Sequence, residues 1–262
     1  MKYGFLGCGN MGGAIATALS KTTKDILLTS KTVSTASALA EKLGCSYTES
    51  NEAIAASCDV IFLAVKPQMA KDVLTPLAAV LQARKPLLVS MAAGLTVAQL
   101  EAMAGSIPVV RIMPNTPVSI GQGMVTYCRN ALVSDAAMGA LLEDLKQAGR
   151  FDAIDEKLMD AATVAAGCSP AYTYMFIEAM ADGAVACGLP RDKALEYAAA
   201  AVAGAAQLLL ESGKHPGQLK DAVCSPGGST IAGVRALEEN GFRGTVMDAI
   251  SAAYRRNLEL GK

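Results

Sequence analysis

Lys2-Tyr3-Gly4-Phe5-Leu6-Gly7-Cys8-Gly9-Asn10-Met11-Gly12 is the stretch on which the fold turns. A short, largely apolar run ends in Gly-x-Gly-x-x-Gly, and the helix-favouring residues 11–20 follow at once. The glycine pattern alone is weak, but placed between a strand and a helix it describes a dinucleotide-binding turn. Gly7 permits the tight turn, Gly9 lets a pyrophosphate approach the backbone, and Gly12 lets helix and strand pack closely. The free N–H groups and positive dipole end of that helix would hold the phosphates, with Asn10 and Met11 at its first turn. A glycine-rich turn without ligand is the alternative, and strand, turn and helix in sequence weigh against it.

Outward from this turn, short apolar runs alternate with helix-like segments. Strands are expected at 2–6, 25–29, 59–65, 86–91, 109–113 and 124–128, with helices at 11–20, 34–43, 51–56, 69–81, 96–104 and 134–148. Such alternation describes strands joined by crossover helices in a parallel sheet. After about Asp155 the β-branched runs stop and Ala-rich stretches take over, at 156–187, 191–212 and 229–260 with a break near Gly241. Pro190 and Pro216 punctuate them as helix starts or turns. The expected fold is an α/β N-terminal Rossmann-type doubly wound sheet over residues 1–154, followed by an all-α C-terminal domain over 155–262.

Composition narrows the partners. The chain has 23 Lys plus Arg against 24 Asp plus Glu, so no overall field draws it to nucleic acid or an anionic membrane. A small molecule is the expected ligand. Apolar residues make up 52% and mean hydropathy is +0.33, which suggests apolar surface buried between subunits. The apolar run 198–210, bounded by Glu196 and Glu211, is shorter than the about 20 residues of a bilayer span and reads as a buried helix. Residues 2–6 leave no room for a leader before them, so a cytoplasmic protein is expected. The seven cysteines include no Cys-x-x-Cys pair, which indicates neither zinc nor a disulfide scaffold but reduced filler residues.

Dinucleotide domains that prefer NAD carry Asp or Glu roughly 20 residues past the loop, for the ribose 2′-hydroxyl. Here the second strand ends in Thr29-Ser30-Lys31-Thr32. A cation and hydroxyls suit a 2′-phosphate, so NADP(H) is favoured and NAD(H) remains possible. Lys31 as an ordinary solvated charge is the alternative. The run 59–67 ends in Ala64-Val65-Lys66-Pro67, and 111–117 in Met113-Pro114-Asn115-Thr116-Pro117, both at the carboxyl edge where open α/β sheets bind ligands. Asn115 and Thr116 face the nicotinamide or serve only as turn residues.

In the helical half, Val223-Cys224-Ser225-Pro226-Gly227-Gly228-Ser229-Thr230 is a turn leading into a helix whose first N–H groups belong to small residues. A carboxylate can reach them. That Ser225 or Ser229 merely caps the helix is equally open.

The loop 7–12, Leu63-Ala64-Val65-Lys66-Pro67, Ala92-Ala93-Gly94, Met113-Pro114-Asn115-Thr116-Pro117 and the segment 223–230 together resemble pyrroline-5-carboxylate reductase over essentially the whole length. The resemblance implies NAD(P)H-dependent reduction of pyrroline-5-carboxylate to L-proline, the last step of proline biosynthesis. It also implies a helical domain that builds an intertwined homodimer, sometimes a larger ring. Carried over by motif, Val223, Ser225, Gly227, Gly228, Ser229 and Thr230 would bind substrate, mainly through backbone N–H groups. The Thr230 hydroxyl would hydrogen-bond the ring nitrogen as the catalytic contact. Asn51, Lys66 and Pro67 would line the cofactor, with Asn51 near the 2′-phosphate. Cys224 departs mildly from the small residue expected there.

Reducing a cyclic imine needs hydride delivery to a carbon made electrophilic by nitrogen protonation, and no strong general base. The only histidine, His215, lies in the turn-like 213–217 and is expected to be structural or solvent-facing. Two rival readings remain. A β-hydroxyacid-dehydrogenase-like oxidoreductase would carry a lysine near 165–174, and none is there. A sensor or scaffold that binds NADPH without turnover need not keep the second anion cradle at 225–230.

Overall fold

The computed structural model describes residues 1–260. Eight strands, β1 (Tyr3–Leu6), β2 (Ile26–Thr29), β3 (Ser46–Tyr47), β4 (Val60–Leu63), β5 (Leu87–Ser90), β6 (Val109–Met113), β7 (Gly123–Arg129) and β8 (Gly149–Ala153), form one sheet in the order β3-β2-β1-β4-β5-β6-β7-β8. Its helices are α1 (Asn10–Leu19), α2 (Val33–Leu43), α3 (Asn51–Ser57), α4 (Ala70–Leu74), α5 (Ala78–Arg84), α6 (Val97–Ala104), α7 (Asp135–Asp144) and α8 (Met159–Ala162). The order 3-2-1-4-5-6 is that of a Rossmann sheet, with its crevice outside the carboxyl end of β1. The expected α/β doubly wound fold is therefore present.

Both faces of the sheet are covered, and the strands show it residue by residue. Along β4, Val60 and Phe62 enter one apolar cluster with Phe5, Leu28 and Val110, while Ile61 and Leu63 enter the other with Leu6, Leu88 and Leu100. Successive side chains of a strand point to opposite faces, so a strand buried on both reads as an unbroken apolar run. Phe5 and Phe62 stack with ring centroids 4.5 Å apart.

Three features depart from the sequence expectations. The sheet is not wholly parallel, because β7 runs antiparallel to β6. The link between them holds only the 3₁₀ turn Thr116–Ile120, too short for a crossover helix. The strands β3 and β8 were not expected from sequence, and the helix expected at 69–81 is broken into α4, a 3₁₀ turn at Thr75–Leu77 and α5. Pro76 lies inside that turn, where its ring excludes a continuous helical ladder.

The chain divides into two compact units, Met1–Cys168 together with the chain from Ala253 on, and Ser169–Ala252. That boundary falls later than the expected 154/155. The intervening residues 156–168 form a 3₁₀ turn, α8 and the π-helical stretch Thr163–Cys168, so they are helical, as expected, but pack with the sheet unit.

The second unit is all helical: α9 (Ser169–Ala186), α10 (Arg191–Ser212), α11 (Pro216–Ala222), α12 (Ser229–Glu239) and most of α13 (Phe242–Leu260). Pro190 stands at the N-cap of α10 and Pro216 at the first position of α11. Its apolar core is small, Ala181, Ala194 and Ala198 with flanking Ile177, Val185 and Leu189. Beyond the buried Ala198 the run 198–210 is largely exposed in this chain: Leu208 and Leu210 are 55% and 57% exposed. Tyr174, Met175, Tyr197 and Met247 are exposed as well. α10 is long and apolar enough to cross a bilayer by length and composition, yet Glu196, Glu211, Asp192 and Lys193 lie along it. All seven cysteines are free.

Candidate functional site

In the first unit the nucleotide turn forms as its glycines require. Gly7 has φ +95°, a left-handed conformation that costs other residues energy. A Cβ on Gly12 would stand 2.6 Å from the Gly7 carbonyl and 2.8 Å from the Ala64 Cβ, so only glycine lets α1 seat against the ends of β1 and β4. A Cβ on Gly9 would meet nothing within 4 Å, leaving open space over the loop. Gly9 is the N-cap of α1 and no side chain caps the helix, so its first N–H groups are free for an anion.

Beside this loop lies a cleft of about 360 Å³ lined by Leu6, Gly7, Thr29, Ser30, Lys31, Val33, Glu49, Asn51, Val65, Met69 and Val73. The Thr29 hydroxyl donates to Asn51 Oδ1 at 2.9 Å, which orients the amide and leaves Nδ2 as a donor. Asn51 opens α3, whose cap is the Ser50 hydroxyl accepting from Ala53 N at 3.1 Å. An apolar wall, one cation, one carboxylate, two hydroxyls and an amide suit an adenosine, its ribose and its phosphates. A nicotinamide dinucleotide fits the residues present.

The sequence-expected residues Gly7, Ser30, Lys31, Asn51 and Val65 come together around this cleft. Ala64 is joined to β1 through its N–H to the Leu6 carbonyl at 2.9 Å, which sets Val65 at the loop. Lys66 caps the 3₁₀ turn Pro67–Met69 and is exposed. Ala92, Ala93 and Gly94 follow β5, with Ala92 N donating to Ser90 Oγ at 3.3 Å. Asn115 is 8% exposed and its amide is spent on backbone: Nδ2 donates to the Ala166 carbonyl at 3.0 Å and Oδ1 accepts from Met124 N at 3.0 Å. That arrangement fixes the β6–β7 turn and leaves Thr116, which is exposed, as the freer of the two.

Two residues escaped the sequence reading. Glu49 lines the same cleft although it lies far beyond the usual acidic position. Arg111, 2% exposed in the middle of β6, pairs with Glu156 at 3.4 Å and Asp160 at 3.3 Å. Glu156 Oε1 also accepts from Val97 N at 2.6 Å, so one buried cation ties β6, the start of α6 and α8 together. An arginine inside the apolar run 109–113 was the available signal, because a buried guanidinium demands acidic partners. A larger cavity of about 570 Å³ lies near Glu156, but Asp135, Asp155 and Glu156 line it against one arginine, Arg129. That balance disfavours a polyanionic cofactor.

In the second unit, Ser225 to Thr230 form the expected turn. Gly227 has φ +67°, and Gly228 N donates to the Ser225 carbonyl at 3.0 Å. Gly228 is the N-cap of α12 and no side chain bonds the helix start. Capping by Ser225 or Ser229 is therefore not seen. The first N–H groups of α12 and the exposed Thr230 hydroxyl remain available. Val223 is 65% exposed. His215 caps α11 instead, its Nδ1 accepting from Gly217 N at 3.1 Å, which accounts for it structurally.

A model of pyrroline-5-carboxylate reductase dimerisation matches residues 156–260. The chain is 42% identical to pyrroline-5-carboxylate reductase from Pisum sativum over 98% of its length and 95% of the relative's. It belongs to the pyrroline-5-carboxylate reductase family. The Escherichia coli K12 reductase is 41% identical, over 100% of this chain and 98% of that one. Residues 2–94 also match a family of coenzyme F420-dependent NADP oxidoreductases. Among solved structures, Plasmodium falciparum pyrroline carboxylate reductase with NADP bound superposes with a TM-score of 0.89 at 35% identity, covering 100% of this chain and 98% of that one. The Streptococcus pyogenes reductase gives 0.90 at 35% identity over 99% and 98%. Mycobacterium tuberculosis 3-hydroxyisobutyrate dehydrogenase, 14% identical with a TM-score of 0.51 over 68% of this chain and 63% of that one, shares the fold alone. Membership of the reductase family sets aside both rival readings, the alcohol dehydrogenase and the sensor.

Proposed function

We propose that this protein reduces pyrroline-5-carboxylate to L-proline with NADPH as the preferred reductant and NADH as a usable one. The observation that carries the reading is the uncapped start of α12 behind Ser225-Pro226-Gly227-Gly228, a second anion grip in a chain that already has one at Gly9.

When bound, the reduced nicotinamide supplies the hydride. The chain's own residues do the rest. Gly7 to Gly12 and the free N–H groups of α1 hold the pyrophosphate, while Ser30, Lys31 and Asn51 attend the adenosine ribose. Ala64 to Pro67, Ala92 to Gly94 and Thr116 border the remainder of the cofactor, with Asn115 fixing the turn that carries Thr116. The N–H groups of Gly227, Ser229 and Thr230 hold the substrate carboxylate, that of Gly228 being spent on the Ser225 carbonyl, and the Thr230 hydroxyl bonds the ring nitrogen. Solvent provides the proton that makes that nitrogen an iminium, so the only histidine is free to be structural. Catalysis is then placement and polarisation more than acid–base work.

The helical unit is the dimerisation domain, and a homodimer or larger ring covers the exposed apolar side chains of α9, α10 and α13. Seven free cysteines suit a reducing compartment, which supports a cytoplasmic enzyme. The decisive assay follows loss of reduced nicotinamide absorbance with and without pyrroline-5-carboxylate. Substrate-dependent oxidation, faster with NADPH than with NADH, is expected; oxidation indifferent to the substrate overturns the reading.

A further inference from the structure

We propose that Glu49 is a specificity-determining residue that limits how far NADPH is favoured over NADH, an inference resting on the assignment of the 360 Å³ cleft to the cofactor's adenosine end. Strand β3 pairs parallel with β2 in the register Leu27↔Ser46 and Leu28↔Tyr47, and Thr48 N donates to the Leu28 carbonyl at 2.9 Å. The segment after β2, with Ser30 and Lys31, and the segment after β3, with Glu49, therefore leave the same edge of the sheet side by side. Glu49 is held between two fixed neighbours. Ser50 N donates to Thr48 Oγ1 at 3.2 Å, and Ser50 caps α3.

Lys31 and Glu49 line one cleft, yet among the described residues neither takes part in an ion pair. The nearby Glu52 is occupied, accepting from the Ser50 hydroxyl at 2.8 Å, and does not line the cleft. So the ribose end meets one cation and one carboxylate that do not neutralise each other. A 2′-phosphate carries close to two negative charges, gains from Lys31 and is repelled by Glu49. A bare 2′-hydroxyl loses little at Lys31 and gains a carboxylate acceptor, the role that an acid at the end of β2 plays in NAD-preferring domains. Here the acid reaches the same place from β3. Both nucleotides are thereby accommodated, and Glu49 holds their ratio down.

The test is titration calorimetry of the full-length protein with NADP⁺ and with NAD⁺, in wild type, Glu49→Gln and Glu49→Ala, alongside kcat/KM for NADPH and NADH. Both substitutions should tighten NADP⁺ by about fivefold and weaken NAD⁺ by about twofold, the scale of solvent-exposed charge interactions. The NADP⁺ gain should shrink in high salt, because exposed charges are screened. An affinity ratio unchanged by either substitution overturns the proposal, and so does equal weakening of both nucleotides, which marks a structural role. Wild-type protein that binds neither nucleotide overturns the cofactor assignment itself, a result distinct from an unchanged ratio.

Discussion

Thr230 is exposed in the first turn of α12, and the proposed reading gives its hydroxyl the ring nitrogen. Thr230→Ala should lower kcat/KM for pyrroline-5-carboxylate by roughly 10- to 100-fold, the loss of one polarising hydrogen bond, while the Kd for NADP⁺ stays put. Steady-state kinetics and calorimetry check both halves, and unchanged kinetics would remove Thr230 from the mechanism. Gly12→Val is the counterpart at the proposed pyrophosphate turn. Its Cβ would collide with backbone at Gly7, so NADP⁺ affinity should fall by at least about 100-fold with folding impaired too. Cysteine chemistry separates by burial in the same way. Cys187 is exposed, whereas burial pushes the Cys128 thiol up to about 11. Brief iodoacetamide treatment near neutral pH should label Cys187 first and leave Cys128 unmodified by mass spectrometry, since the thiolate is the nucleophile.

Elements differ in how openly the sequence announced them. β1, β4, β5 and β6 are buried on both faces and appear as apolar runs, broken in β6 only by Arg111 and closed in β5 by Ser90, which is why their positions were legible. β3 has two exposed residues and β8 carries Arg150 and Asp152, so neither edge strand leaves such a run. The reversal of β7 was hidden for a different cause. Direction follows from connection length, and the Pro-rich turn at 114–117 reads as a ligand loop and as a reversal equally well. The nucleotide turn and the α12 start were visible because glycine spacing encodes them directly. Glu49 was not, because only the β2–β3 pairing brings it beside Lys31. Arg111 gives the element-scale prediction. Arg111→Met keeps the volume but leaves Glu156 and Asp160 without their cation; both carboxylates are about a third exposed, which softens the penalty. A loss of about 1–3 kcal/mol in urea unfolding is expected, with no change in the NADPH to NADH ratio.

At the scale of the whole molecule, exposed apolar surface is concentrated on the helical unit, at Tyr174, Met175, Leu208, Leu210 and Met247. Patches of that kind mark association surfaces. Met247→Asp should shift sedimentation towards monomer and lower activity together with it. The pH dependence of stability follows from the buried acids: desolvation raises the thiols of Cys8, Cys45, Cys58 and Cys128, and burial together with its bond to Asp144 raises the Tyr3 phenol. Unfolded chains release these protons first as pH rises. Stability is therefore intact below about pH 9 and declines from there towards about pH 11 and beyond, which thermal melts across that range will show. Finally, the sheet unit is not finished by its first 168 residues. The stretch from Ala253 returns to it, and Asn257 Nδ2 donates to Asp160 Oδ1 at 3.0 Å, on one of the carboxylates that hold Arg111. That segment of α13 acts as a latch on the sheet unit, so loosening it and loosening the Arg111 ion pairs are one event.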